Sequence, residues 1–330
     1  MKKTISVIIC LTVLLSLFSG CAKTQAPAER EKKLSIVTTI FPEYDWVMRL
    51  LGDRAKDAEV TLLLDSGVDL HSFQPSAKDM VTISECDLFV YVGGESDDWV
   101  APALAGAANQ EMLVLNLMEI LGEGVKEEEI IEGMDAHQEE EHQEGEEEPE
   151  YDEHVWLSLR NTKIICRALR DALISLDEEN KDVYTANADA YLEKLDTLDR
   201  QYQETVDAAG VKKLLFGDRF PFRYLTDDYG LGYYAAFPGC SAETEASFET
   251  IVFLAKKLKE ENLPHVMVLE GSDGKIAKTI IETAGLPEVT TLSMNSMQSC
   301  TMQDVAEGTT YLSIMERNLE ALKTALNREG

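Results

Sequence analysis

Short β-rich runs alternating with amphipathic helical stretches, twice over, predict an α/β protein of two similar lobes. Each lobe is expected to be a mostly parallel sheet flanked by helices, and a long interlobe helix is expected to join them. Three observations carry this expectation. The first half alternates strand-like and helix-like segments from Leu34 onward. The second half repeats the rhythm from Lys213. Between them, residues 161–209 hold apolar residues at helical spacing and no strand-like run.

Leu34 to Ile40 is β-rich and stops before Pro42, which predicts a first strand. Glu43 to Gly52 places Trp46, Val47, Leu50 and Leu51 on one helical face. Glu59 to Leu64 reads as a second strand, followed by a loop carrying His71. Ser76 caps a helix running to Glu85. Leu88 to Val92 is a third strand closed by Gly93-Gly94, and Leu113 to Leu117 a fourth. Lys126 to Glu150 interrupts the pattern with glutamate blocks and Pro149. Its lack of apolar periodicity predicts a mobile acidic insertion.

From Asn161 to Ala209 the residues Ile164, Ile165, Leu169, Leu173 and Leu176, then Tyr184, Tyr191, Leu195, Leu198 and Tyr202, keep helical spacing. Asp177-Glu178-Glu179-Asn180 divides the run into two helices, the second long enough to join two lobes. Strands are expected at Lys213–Phe216, Gly232–Phe237, His265–Leu269 and Val289–Leu292. Helices are expected at Phe248–Asn262 and Lys275–Thr283, and a terminal one at Asp304–Leu326. The domains are then residues 34–160 as a first lobe, 161–209 as the helical segment, and 210–330 as a second lobe.

The N-terminus reads as an export address. Lys2-Lys3 precedes an apolar stretch, Ile5 to Phe18, too short and wrongly flanked for a typical membrane span. The small residues ahead of Cys21, in Leu17-Phe18-Ser19-Gly20-Cys21, resemble a bacterial lipobox, with Phe18 where leucine is usual. Residues 1–20 are then a signal peptide, and Cys21 carries a lipid that tethers residues 21–33 to the membrane. The alternative, an ordinary secretory signal, also exports the chain.

The chain carries 61 acidic against 30 basic residues, a net charge of −31, so its surface repels phosphate and a nucleic-acid role is excluded. The same field attracts cations, weakly and with salt screening. The six cysteines include no C-x-x-C pair, which argues against a zinc ribbon or a thioredoxin-like motif. Cys86 and Cys166 sit in apolar surroundings and read as small core residues. Cys240 and Cys300 each follow a predicted strand, and whether they pair in an oxidising compartment is left open.

Histidine is the informative residue. Of only five, four fall in one half, around the acidic segment: His71, His137, His142 and His154. His71 lies in Asp69-Leu70-His71-Ser72-Phe73-Gln74-Pro75-Ser76 and His154 in Asp152-Glu153-His154-Val155-Trp156-Leu157. Imidazole and carboxylate suit zinc and, with more oxygen, manganese. His137 and His142 are five apart, so they do not form the helical metalloprotease pair.

With these motifs stand Asp79; Asp87-Leu88-Phe89 leading to Gly93 and Trp99; Tyr229-Gly230-Leu231; Glu245-Ala246-Ser247; and Glu270 ahead of Lys275-Ile276-Ala277. In this order and spacing the mature chain resembles the solute-binding lipoproteins of zinc and manganese ABC importers, the metal-binding subgroup with a long interlobe helix. The resemblance implies a non-enzymatic, membrane-anchored, monomeric extracytoplasmic carrier. It would bind Zn2+, with Mn2+ as the alternative, and pass it to an ABC permease. It implies His71 and His154 as two metal ligands.

The family's third ligand, histidine or glutamate, aligns by count with Arg219, which cannot ligate a metal. Asp218 beside it is the substitute if the loop is shifted by one. The fourth ligand is expected at Glu270, at a strand's carboxyl end where α/β folds place ligands, with Asp273 as competitor. The acidic tract matches a histidine-rich loop of zinc-importing members, so His137 and His142 are expected to capture metal weakly. A secreted zinc hydrolase with Glu270 as general base is the rival reading, and a cell-adhesion role a third.

Overall fold

The computed structural model describes residues 33–135, 150–241 and 245–327. Two four-stranded sheets, every pairing parallel, make up two lobes. The first contains β1 (Leu34–Thr38), β2 (Ala58–Leu62), β3 (Leu88–Tyr91) and β4 (Leu113–Asn116), in the order β2-β1-β3-β4. The second contains β5 (Lys213–Phe220), β6 (Gly232–Pro238), β7 (His265–Leu269) and β8 (Thr290–Met294), in the order β6-β5-β7-β8. The two orders are the same permutation, so the expectation of two like lobes holds. In each, the chain reverses direction across the sheet after its second strand, and the crevice at the strands' carboxyl ends there is where such folds bind ligands.

In the first lobe the connections are α1 (Phe41–Leu51), α2 (Ala77–Glu85) and two short helices the sequence did not announce, α3 (Val100–Ala105) and α4 (Leu117–Leu121). The Ser76 side chain accepts from Asp79 N, so the expected cap is present, and Asp79 answers to Ser76 N. α5 (Leu159–Leu176) and α6 (Lys181–Ala208) follow, divided at residues 177–180 as expected. α6 has 28 residues and so spans about 42 Å. Its stripe Tyr184, Ala188, Tyr191, Leu195, Leu198 and Tyr202 recurs every three or four residues and is buried.

The second lobe adds α7 (Arg223–Tyr229), α8 (Phe248–Glu260), α9 (Lys275–Ala284), α10 (Met302–Ala306) and α11 (Tyr311–Leu326). The terminal helix expected as one element is two. Gly308 at φ +96° breaks it, and Thr310 caps the restart by accepting from Ser313 N. α11 returns to the first lobe. The Tyr311 ring meets Trp46 edge-on at 5.2 Å, its hydroxyl donates to Trp156 O at 2.8 Å, and its N–H donates to the Asp45 carboxylate. One hydrophobic core therefore runs from Trp46 through α6 to Leu319 and Phe216, and a smaller one around Leu254, Leu258 and Ile280 lies under α8 and α9.

Two departures bear on the site. β5 runs to Phe220 rather than ending at Phe216, with an irregularity between Phe216 and Arg219, so Asp218 and Arg219 are strand residues and not loop residues. The start of the acidic insertion is pinned. Glu128 N bonds Glu150 O, Asp135 N bonds Ala236 O, and Glu129 pairs with Arg223 and accepts from the Tyr233 hydroxyl. Composition missed this because the anchors are backbone groups and single carboxylates, not an apolar stripe. Among the described residues no helix is long and apolar enough to cross a membrane.

Candidate metal centre

His71 sits in the 3-10 turn Leu70–Ser72, just beyond β2. Leu70 is buried and anchors the turn, while Asp69 caps it by accepting from His71 N at 3.1 Å. The ring's Nδ1 lies 2.8 Å from Ser96 Oγ and 3.5 Å from Glu153 Oε2, an oxygen that makes no hydrogen bond. Glu153 Oε1 accepts from Ser96 N at 2.8 Å, which fixes the serine against the imidazole. Burial, then the neighbouring His154, pull the pKa of His71 down to about 3, so the imidazole is neutral at physiological pH.

His154 is fully buried and opens the turn Val155–Leu157. Asp152 Oδ1 accepts both from His154 N at 2.8 Å and from its Nδ1 at 3.0 Å. That bond puts the ring proton on Nδ1 and leaves a lone pair on Nε2, the arrangement of a carboxylate-backed metal ligand. The two Nε2 atoms face each other at 3.4 Å. Two nitrogens about 2.05 Å from a tetrahedral zinc are separated by about 3.3 Å, so the pair is already at ligating spacing. The second lobe braces this motif: the Tyr224 hydroxyl donates to Asp152 O at 2.8 Å, and Trp156 Nε1 donates to Ser296 O at 2.8 Å.

The expected second-lobe carboxylates line a cavity of ≈ 600 Å³ together with His71, but their oxygens have other partners. Asp218 accepts from Leu269 N at 3.3 Å and from Arg219 N at 3.0 Å. Both oxygens of Glu270 are engaged by Ser296, from its N–H at 2.8 Å and its hydroxyl at 2.7 Å. Burial raises the Glu270 pKa, and those bonds oppose the rise. Asp273 is exposed and paired with Lys275. Arg219 points into the site and is neutralised by Asp69 of the first lobe. Against the burial that would raise it, Arg219 holds the Asp69 pKa below its ordinary value. The Gln298 amide lies 3.1 Å from His154 Nε2.

On the other side of His71 a cavity of ≈ 260 Å³ is lined by Glu95, Glu128, Glu150, Glu153 and Cys240. Cys240 lies just past the carboxyl end of β6. Its thiol and ring nitrogens of His71 and His154 all lie within 4.8 Å of one another, and among the described residues this is the one such group of three donors. Burial, then Glu128, Asp152 and Glu153, push the thiol pKa up. Cys240 and Cys300 are both free thiols, so no bridge joins them.

Cys21, His137 and His142 lie outside the described residues. The sequence did not point to Ser96, Gln298 or a metal-facing Cys240. The signal the sequence carries is Cys240's position after a predicted strand, and that position fits a disulfide partner equally well.

Residues 36–325 match the family described as zinc-uptake complex component A, periplasmic (ZnuA). The zinc-binding lipoprotein AdcA of Streptococcus pneumoniae is 33% identical over 324 residues, 97% of this chain and 61% of that protein. The chain thus spans less than two thirds of the length of that relative. The high-affinity zinc uptake system protein ZnuA of Bacillus subtilis is 30% identical over 97% of this chain and 96% of its own length. Among solved structures, the Zn(II)-bound ZnuA-like domain of S. pneumoniae AdcA superposes with a TM-score of 0.69 at 29% identity, covering 90% of this chain and all of that one. The laminin-binding protein of Streptococcus agalactiae, at 23% identity and a TM-score of 0.70, shares the fold.

Proposed function

The chain belongs to the zinc-uptake complex component A family, and from that membership we propose that it captures one zinc ion between its lobes and hands it to an ABC importer. The family is one of uptake components, so the chain is a binding protein and not the zinc hydrolase of the rival reading. The observation that carries the proposal is the facing pair of Nε2 atoms, His71 and His154, at 3.4 Å. Each ring is held by its other nitrogen, through Ser96 and Asp152, so little reorganisation precedes binding. Imidazole nitrogen suits zinc, and manganese prefers oxygen, so zinc is the cargo and manganese the weaker competitor.

His71 and His154 are the two ligands on this reading. Asp218, Glu270 and Asp273 stay beyond them, at the cleft wall, as charge facing the cation. The acid-lined cavity beside His71 supports cation approach from the side where residue 150 leaves the insertion. His137 and His142 would add weak capture sites there. Lipidation at Cys21 would keep the carrier extracytoplasmic beside its permease, and the two relatives named zinc-binding lipoprotein and zinc uptake protein support that placement. Calorimetric titration of chelator-stripped protein tests the reading. One tight zinc per chain, with manganese unable to displace it at equal concentration, is expected. Tight manganese and weak zinc would overturn it.

A further inference from the structure

We propose that Cys240 supplies the third protein ligand, as a thiolate, making a His71–His154–Cys240 zinc site. This rests on the zinc-capture reading and names the chemistry of its second-lobe half. The position where related carriers offer a nitrogen or carboxylate is Arg219, a permanent cation. Its guanidinium is committed to Asp69 and to Gln298 Oε1, which lies 3.3 Å away. The carboxylates on either side of it are committed as well. Asp218 holds two backbone N–H groups, and Glu270 holds Ser296 with both oxygens. Turning either toward His154 would strip buried hydrogen-bond donors, which costs about 1–3 kcal/mol per group.

Cys240 has less to give up, because the hydrogen bond at its sulfur comes from the Glu153 backbone alone. Its sulfur already lies within 4.8 Å of ring nitrogens of both histidines. A tetrahedral zinc with one sulfur at about 2.3 Å and one nitrogen at about 2.05 Å separates them by about 3.6 Å, so the sulfur is at most about 1.2 Å beyond ligating spacing from a ring nitrogen of each histidine. The chain is built to bring this residue close. A Cβ at Gly239 would stand 2.9 Å from Phe220 O and 3.2 Å from His154 Cε1 and Nδ1, so glycine there lets the backbone pass against the ring. Cys240 N donates to Glu128 Oε1 at 3.0 Å, which ties the residue to the pinned start of the acidic insertion.

On coordination the thiol proton leaves to solvent and a sulfur–zinc bond forms, with no change in oxidation state. One ligand then comes from the second lobe, so the ion itself links the lobes. The fourth position goes to water, or to the Gln298 amide oxygen after a flip. A soft thiolate widens the preference for zinc over manganese relative to an all-nitrogen-and-oxygen site.

Cobalt(II) substitution tests this on the full chain. The parent loaded with one equivalent of cobalt should show an intense near-ultraviolet thiolate-to-cobalt charge-transfer band. Cys240→Ser should bind cobalt without that band. It should weaken zinc binding by more than the roughly 10–100-fold that loss of a supporting partner costs, and zinc–manganese discrimination should narrow by at least tenfold. An unchanged thermal midpoint of the metal-free Cys240→Ser protein shows that it is folded. Tight zinc and cobalt binding by the parent with no charge-transfer band overturns the thiolate ligand and leaves zinc capture standing. Cys240→Ser retaining both the band and the parent's affinity overturns it equally. A parent that binds neither metal removes the zinc reading and this inference with it.

Discussion

The two sides of the cleft are built on the same sheet order, yet they treat a cation differently. The first-lobe side offers two imidazoles whose Nε2 atoms face each other, each backed at Nδ1 by an oxygen. The second-lobe side offers Arg219 and three carboxylates, and every one of those groups is occupied by protein partners. Having the same fold places residues at the same kind of crevice but does not make them ligands. On our reading, what decides ligation here is how many protein hydrogen bonds a group must give up to face the cleft.

The comparison is broken most severely by removing a first-lobe imidazole. His154→Ala should weaken zinc by more than about 100-fold in calorimetric titration, because a ligand does more than its supporting shell. Unaltered affinity would take His154 out of the site. One step back from the metal, Asp152→Asn should cost about 10–100-fold, since the amide can present its N–H to Nδ1 and favour the wrong tautomer. Circular dichroism should show the fold intact.

The second-lobe carboxylates sharpen the contrast. Asp218→Asn and Glu270→Gln should each change zinc affinity less than about threefold, a fraction of a kcal/mol, if their bonds to Leu269 N, Arg219 N and Ser296 are what they are for. A loss of tenfold or more in either would return that carboxylate to the metal.

A smaller effect separates metal binding from stability. Burial, with Glu153 nearby, raises the Asp97 pKa to about 7. A carboxyl with a raised folded pKa binds more protons than its unfolded counterpart between about pH 4 and 7. The stability it contributes is therefore present below that window and lost as pH rises through it, by at most about 1.4 kcal/mol per pH unit. Asp97→Asn should flatten this slope in chemical denaturation and raise the thermal midpoint at pH 8. An unchanged slope would mean that Asp97 is ionised across the window.

Most of the fold was legible because strands and helices announce themselves by period. The eight strands fall where alternation and Gly or Pro punctuation put them, and α6 follows its apolar stripe. The short helices α3, α4 and α7 have no counterpart in the sequence reading, and α10 is read only as the start of α11, because five to seven residues span fewer than two turns and carry no period. The first-lobe half of the candidate site is equally legible, since His71 and His154 lie in local motifs whose neighbours, Asp69 and Asp152, fix their turns. The second-lobe half depends on contacts over long sequence separations. Cys240 comes to His71 and His154 from 169 and 86 residues away (240 − 71 and 240 − 154), and Arg219 meets Asp69 across a separation of 150. No local pattern encodes those meetings, and the bulge in β5 that aims Asp218 and Arg219 has no sequence signature of its own.

Deleting residues 136–149, and with them His137 and His142, should be the mildest change. The tight site should persist at parental affinity while the number of weakly bound zinc ions in excess metal falls.

Anomalous diffraction at the zinc edge, from crystals of the protein loaded with one equivalent of zinc, tests the central claim most directly. The account predicts one strong peak about 2 Å from Nε2 of both His71 and His154. A peak coordinated instead by Asp218, Glu270 or Asp273 without both histidines, or none in the cleft, would contradict it.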